Sequence, residues 1–286
     1  MEIRIEALAP MDVTRDKPLR RRNGGVNRGY VRPAKPTAEV GDLKPLPLGV
    51  TVIGPAGAPI LRYEALDTVH EEAAEGLREA LGTVRFSVTS RSVGLKSKSR
   101  TFGYLPRIEF RQDYCHVCAL HYENVRAHGL LCEFSANMDE QFRGRFPVQR
   151  AKQYATVTSQ VLPNWRLGDT SWTTGIVNYD TPLHYHKDAG NYDGAWSCML
   201  TLKHETDGGH LAIPEIGYYV PLDDKSVLMF PGGTLWHGVT PIKKRKGGHR
   251  YTVVYYCLKK LRLCKTPEEE LEGIKQRATE RERKPR

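Results

Sequence analysis

After Trp172 the chain breaks into short apolar, β-branched and aromatic runs set off by polar turn residues, a change of character from the first half. Thr173–Tyr179, Ser197–Lys203, His210–Ile213, Ser226–Phe230 and Tyr251–Leu258 are rich in β-branched and aromatic residues. Turn residues separate them, so each reads as a strand. Their spacing suits a double-sheet jelly roll, also called a double-stranded β-helix. Upstream, Thr51–Ile53, Pro59–Tyr63 and Val84–Thr89 read as short strands, and Asp67–Leu81 as a helix with Asp67 as N-cap and Gly82 as stop. Residues 112 to about 134 and 137 to 162 read as mixed to helical, with Gln149–Leu162 at helical spacing and Pro163 ending it. Ser90–Arg100 has few apolar residues and no period, which predicts an exposed loop. Thr266-Pro267-Glu268-Glu269 opens a charged C-terminal helix. The fold expected is α+β: one domain over 49–264, mixed to helical over about 49–165 and jelly roll over about 170–262. A charged helix over 265–286 completes the chain.

Residues 1–48 are different. Arg15 to Lys35 is basic, glycine-containing and poor in apolar side chains, and Pro33, Pro36, Pro45 and Pro47 follow. The expectation is a basic, mobile arm. The whole chain of 286 residues carries a net charge of +10, which favours anionic partners such as nucleic acid. No apolar run approaches the roughly 18 residues of a membrane span, and the start Met1-Glu2-Ile3-Arg4 lacks a signal-peptide core. Six cysteines in this length do not read as a disulfide framework. An intracellular, cytoplasmic protein with reduced thiols is expected, nuclear if the source is eukaryotic, and monomeric.

The chemistry concentrates in Leu183-His184-Tyr185-His186-Lys187-Asp188. On a strand, His186 and Asp188 share a face. His237 follows a Pro231-Gly232-Gly233 turn, and Arg250 lies in Gly248-His249-Arg250-Tyr251. Two histidines and a carboxylate are the facial triad of non-haem Fe(II) oxygenases, which leaves coordination positions open. An arginine just past the distal histidine is where a guanidinium would grip the far carboxylate of 2-oxoglutarate bidentately. Gly208-Gly209 before His210 reads as a hairpin turn, with close backbone approach to the co-substrate as an added use. His184 makes a His-x-His pair with His186, but the glutamate a cupin needs is absent, since Gly190 and Asn191 stand there. His184 thus stays open as a supporting residue, a substrate contact or a surface histidine. His249, pointing opposite to Arg250, reads as structural. Cys115-His116-Val117-Cys118 with His121 resembles half a zinc site, but no second pair completes it, so these cysteines read as small core residues on a helix face.

From Thr173 to Leu258 the chain resembles the TET/JBP family of Fe(II)- and 2-oxoglutarate-dependent nucleic-acid dioxygenases, most of all the compact phage and microbial members. Asn178-Tyr179, His186-Lys187-Asp188-Ala189-Gly190-Asn191 and His237-Gly238-Val239…Arg250-Tyr251 carry the likeness. The resemblance implies iron on His186, Asp188 and His237, 2-oxoglutarate on Arg250, and O2 as oxidant. It implies DNA containing a 5-methylpyrimidine as partner, with 5-methylcytosine oxidised to hydroxymethyl and further forms. It also implies Asn191 as a contact to the base and Tyr256 as the ring that stacks on it. Some relatives have aspartate at the position of Asn191. An asparagine amide both donates and accepts, so it suits cytosine or thymine, and the thymine-oxidising, JBP-like activity stands as the alternative.

A methyl group inside a duplex cannot reach a buried metal, so the base must be flipped out at a cost of a few kcal/mol. Three basic segments are candidate phosphate contacts: the arm from Arg15 to Lys35, the loop with Arg91, Lys96, Lys98 and Arg100, and Lys243-Lys244-Arg245-Lys246, read as a hairpin near the metal. Two other readings stay open: a 2-oxoglutarate hydroxylase of a protein or small molecule, and a nucleic-acid-binding module with a vestigial site. A jelly-roll virion protein is a third.

Overall fold

The computed structural model describes residues 1–15, 19–20, 26–27, 31–90, 96–107 and 114–283. Two sheets face each other. The larger has ten strands and runs, edge to edge, Glu2–Arg4, Val50–Ile53, Pro59–Ala65, Ser226–Phe230, Ser197–Gly208, Ile242–Tyr256, Thr174–Tyr179, Lys96–Leu105 and His116–Val117, with Val88–Ser90 also paired to Lys96–Leu105. The smaller has five: Leu183–His186, His237–Val239, Leu211–Ile213, Tyr218–Val220 and Lys44–Pro45. Sequence neighbours cross between the sheets, which is jelly-roll connectivity.

Period-two alternation sorts the large sheet's side chains. Cys198, Leu200, Leu202, Val227, Met229, Val253 and Tyr255 join a core with the helices Glu71–Gly82 and Val125–Arg145, whose Leu77, Leu81, Leu131, Phe134, Met138 and Phe142 pack onto them. The intervening residues Met199, Leu228 and Phe230 face the small sheet and meet Leu183, Leu211, Ile213, Val220 and Val239. The same alternation along Ile242–Tyr256 sends Thr252, Val254 and Tyr256 into the space between the sheets. A third apolar cluster packs Val157 and Val161 at the end of the Pro147–Gln160 helix against Tyr192, Cys257 and Leu261. No helix among the described residues is long and apolar enough to cross a membrane.

Several expectations are corrected. Asp67 precedes a 3-10 turn, Thr68–His70, and the helix proper is Glu71–Gly82. Its carboxylate makes no cap and instead pairs with Arg145 at 2.6 Å. The strand expected over Val84–Thr89 shrinks to Val88–Ser90. The loop expected through Arg100 is a strand from Lys96, because Ser97 and Ser99 are buried against its neighbours. The basic arm is not free at its ends: Glu2–Arg4 extends the large sheet in parallel to Thr51–Ile53, and Leu46 is fully buried. The stretch from Arg15 to Lys35, expected as the mobile part of the arm, lies mostly outside the described residues. The cysteines are corrected too. Cys115 and Cys118 flank a two-residue strand rather than lying on a helix, and Cys115 forms a disulfide with Cys264 across the third cluster. The C-terminal helix, Pro267–Arg283, carries its capping box: Glu269 N–H donates to Thr266 Oγ1 at 3.3 Å, and Thr266 N–H to Glu269 Oε2 at 3.0 Å.

Candidate active site

His186 ends the Leu183–His186 strand and pairs directly with His237 at the start of the His237–Val239 strand. A register shift inside that pairing moves His186 off strict alternation, and the rings stand 4.4 Å apart. His186 Nδ1 bonds the carbonyl of His184 at 2.8 Å, and His237 Nδ1 bonds that of Leu235 at 2.9 Å. Each carbonyl accepts the Nδ1 proton, which makes each Nε2 the unprotonated nitrogen, the form a metal ligand requires. Asp188 Oδ1 lies 3.8 Å from His186 Nε2 and 3.9 Å from His237 Nε2. The three ligand atoms lie within 4.8 Å of one another and could hold a metal ion.

Glycine gives Asp188 its place. The Asp188 N–H donates to the Gly232 carbonyl at 2.9 Å, and a Cβ on Gly232 would meet Asp188 Oδ2 at 2.3 Å. The Pro231-Gly232-Gly233 turn is thus a shelf for the carboxylate. Phe230 packs its ring edge-to-face on His237, 5.0 Å between centroids.

Arg250 is 0% exposed, and Nε, Nη1 and Nη2 meet no acceptor among the described residues. Burial pulls its pKa down to about 10, with nearby Asp180 opposing, so it keeps its charge at neutral pH. A buried cation with all its donors unmet costs several kcal/mol unless an anion completes it. Gly209 covers the guanidinium: at φ +68° it has no side chain, and a Cβ there would lie 2.9 Å from Arg250 Nε. The Gly208-Gly209 turn is not a simple hairpin. It carries the chain from the large sheet to the small one, with Gly209 N–H bonded to Pro241 O at 3.0 Å.

His186, Asp188 and His237 line a cavity of about 140 Å³ together with Asn178, Thr252, Asn191 and Tyr256. Its floor is apolar and buried: Met199, Leu211 and Phe230. Its rim is more open, at Ala189, Asn191, Tyr256 and Leu258. Both expected substrate residues therefore stand at the rim. His184 is exposed and does not line the cavity; it serves through its carbonyl. His249 is half-buried between His204 and Tyr251, away from the cavity.

The basic segments fare unequally. Arg91 and the Lys96 side chain lie outside the described part of the structure. Lys98 is exposed. Arg100 is occupied, donating to Arg85 O at 2.9 Å and pairing with Glu123 at 3.1 Å. Lys243–Lys246 is part of the Ile242–Tyr256 strand: Lys243 and Lys244 pair with Asp207 and Thr206, and Arg245 and Lys246 lie in the register shift opposite Glu205. Lys244 pairs with Asp180 and Arg245 with Glu205 and Asp207, while Lys243 and Lys246 meet no carboxylate among the described residues. Sequence reasoning missed Asp180, and for the two glycine turns it missed that Gly209 makes room for Arg250 and Gly232 for Asp188. Neighbouring turn chemistry was the only signal for the glycines, and Asp180 had none.

Residues 120–259 match the family model Tet_JBP, the oxygenase domain of the 2OGFeDO superfamily. Over that span, just under half of its length, the chain is similar to that oxygenase domain. NgTET1 in complex with 5mC DNA shares the fold with a TM-score of 0.60 at 17% identity, over 82% of this chain and 87% of that one. An oxidoreductase of the 2OG-Fe(II) oxygenase family from Burkholderia pseudomallei aligns at TM-score 0.45 and 12% identity, over 68% of this chain and 84% of that one. OsALKBH1 aligns at 0.41 and 14%, over 74% and 99%. No curated protein sequence matches the chain. The matched superfamily implies Fe(II) and 2-oxoglutarate, and the two histidines, the carboxylate and the unmet arginine found here fit both in number and chemistry.

Proposed function

We propose that this oxygenase oxidises the 5-methyl group of 5-methylcytosine in DNA, using Fe(II), 2-oxoglutarate and O2. The observation that carries the co-substrate reading is the fully buried, unmet guanidinium of Arg250 beside a His–Asp–His cluster. The DNA reading is supported by the Tet_JBP match, by NgTET1 with 5mC DNA as a fold neighbour, and by the net charge of +10.

In this reading His186 Nε2, the Asp188 carboxylate and His237 Nε2 hold the iron, and Arg250 takes the far carboxylate of 2-oxoglutarate. Together with oxygen the bound pair supplies an oxidant able to break a methyl C–H bond, which acid–base chemistry cannot do. The chain's own residues position and shield. The carbonyls of His184 and Leu235 fix the two imidazoles. Met199, Leu211 and Phe230 keep water from the floor. Asn191 reads the base edge at the rim and Tyr256 stacks on the ring. No side chain serves as a general base.

Nucleoside mass spectrometry tests this, after incubation with Fe(II), 2-oxoglutarate and DNA containing both 5-methylcytosine and thymine. Loss of 5-methylcytosine, with gain of its hydroxymethyl, formyl or carboxyl form, is expected. Gain of 5-hydroxymethyluracil instead would assign the thymine reading that the Asn191 amide also permits. Succinate formed with neither base altered would send the substrate to a protein or small molecule. Binding of DNA without succinate under any condition would leave a nucleic-acid-binding module.

A further inference from the structure

A second cleft, of about 400 Å³, lies beside the rim of the metal-ligand cavity. Lys152, Thr156, Tyr192, Asp193, Lys259 and Arg262 are among its lining residues. One wall separates the two cavities. Asn191 bridges to Leu258, Gly190 O accepts the Lys259 N–H at 2.9 Å, and Tyr192 N–H donates to Cys257 O at 3.3 Å. Asn191 and Leu258 line the first cavity; the residues directly after each, Tyr192 and Lys259, line the second.

The cleft is built for an anion. It offers three cations against the single carboxylate of Asp193. Lys152 and Arg262 are exposed and meet no carboxylate among the described residues. Lys259 pairs at 3.0 Å with Asp193, whose side chain is 92% exposed, so that pair is weak and easily exchanged. Tyr192 is 9% exposed, and its hydroxyl is buried without a partner although a phenol O–H normally finds one. Arg262 is near enough to act electrostatically on that hydroxyl.

We infer that this cleft binds a phosphodiester of the strand whose base enters the metal-ligand cavity. This rests on DNA being the substrate. Lys152 and Arg262 neutralise the phosphate, the Tyr192 hydroxyl donates to it, and Lys259 turns from Asp193 to join them. The cleft adjoins the Asn191–Tyr256 rim, so the backbone held there belongs next to the flipped nucleotide. That gives it a different task from the Lys243–Lys246 strand, which its own acidic neighbours partly neutralise.

The test is fluorescence anisotropy of a labelled oligonucleotide containing 5-methylcytosine, titrated with the full chain across a range of salt. The double variant Lys152→Ala/Arg262→Ala is expected to bind about tenfold more weakly, with the slope of log affinity against log salt smaller by roughly 1.5 to 2 for two lost contacts. Tyr192→Phe should lose a few-fold with the slope unchanged, and Asp193→Asn should bind a few-fold more tightly. Lys152, Asp193 and Arg262 are exposed, Tyr192→Phe keeps the ring that packs in the third apolar cluster, and unchanged melting temperatures check that the variants fold. Wild-type binding with an unaltered slope in the double variant overturns the cleft assignment alone. Absence of DNA binding by the wild type overturns the DNA reading, and the cleft with it. Inorganic phosphate bound by the wild type but not by the double variant, with oligonucleotide affinity equal in both, would make the cleft a small-anion site and overturn the strand assignment.

Discussion

Asp180 holds Arg250 by its main chain. Its Oδ1 accepts the Arg250 N–H at 2.7 Å, and its own N–H donates to the Arg250 carbonyl at 3.0 Å. Its other oxygen takes Lys244 Nζ at 2.7 Å. Asp180 does this from the left-handed region, at φ +43°, which Asp and Asn tolerate better than other side chains. Asp180→Ala should therefore misplace Arg250 and raise the KM for 2-oxoglutarate about tenfold, the scale of one charged hydrogen bond, with a smaller change in kcat. Asp180→Asn keeps the acceptor and the backbone, and should recover most of the loss. Equal falls in kcat for both variants with no change in KM would refute the role.

Arg250 itself should show opposite signs in stability and binding. Arg250→Met removes a buried cation that meets no acceptor, so without co-substrate the variant should melt higher than the wild type. The rise in melting temperature that 2-oxoglutarate gives the metal-loaded wild type should vanish. A lower melting temperature for the bare variant would mean that the guanidinium is satisfied within the fold.

Gly232 should matter as much as a ligand. A methyl there would sit 2.3 Å from Asp188 Oδ2, so Gly232→Ala should push the carboxylate out of line. The expected loss in affinity for Fe(II), or for Mn(II) as a redox-silent probe, is about 10- to 100-fold, the range seen for residues that orient ligands. Wild-type metal affinity in a folded variant would contradict the shelf.

His128 should make stability depend on pH far from the metal. Burial first, and the neighbouring His121 next, pull its pKa down to about 4, and its Nε2 accepts the Gly103 N–H at 3.2 Å. An unfolded histidine takes up a proton below about pH 6.5, whereas the folded one refuses it until about 4. The stability from neutral His128 is thus complete above pH 6.5 and drains away as pH falls toward 4. Denaturant titrations at several pH values should show this slope. His128→Gln, which retains an acceptor, should flatten it, and parallel curves would refute the assignment.

The Cys115–Cys264 disulfide spans 149 residues of sequence and ties the segment before the C-terminal helix to the third apolar cluster. Reduction, or Cys264→Ser, should cost about 2–5 kcal/mol in unfolding experiments. Limited proteolysis should then cut first around residues 259–283. Equal stability with and without reductant would remove the bond from the account.

Much of the site was legible before the fold because its chemistry is local. His186 and Asp188 are two residues apart, a spacing short enough for both to reach one point in an extended chain, although the strand itself ends at His186 and Asp188 follows it. Arg250 was legible from its distance past His237. The strand runs Ser226–Phe230 and Thr174–Tyr179 were legible because a sheet buried on both faces has a continuous apolar signature. Lys96–Arg100 was not, because Ser97 and Ser99 are buried polar residues whose hydroxyls bond each other at 2.9 Å. Nothing in residue type announces such a pair.

What the sequence determined by itself is the donor set, two imidazoles, one carboxylate and a guanidinium, and the two-residue spacing of His186 and Asp188. Those properties belong to residue type and to a period of two. The tertiary structure alone decided the rest: that His186 meets His237 across two strands, that Gly232 and Gly209 leave room for Asp188 and Arg250, that Asp180 anchors Arg250, and that a cationic cleft adjoins the rim. These depend on which distant segments pack together and how closely. Contact between segments far apart in the chain is set by the sum of the packing, and no short window of sequence contains it.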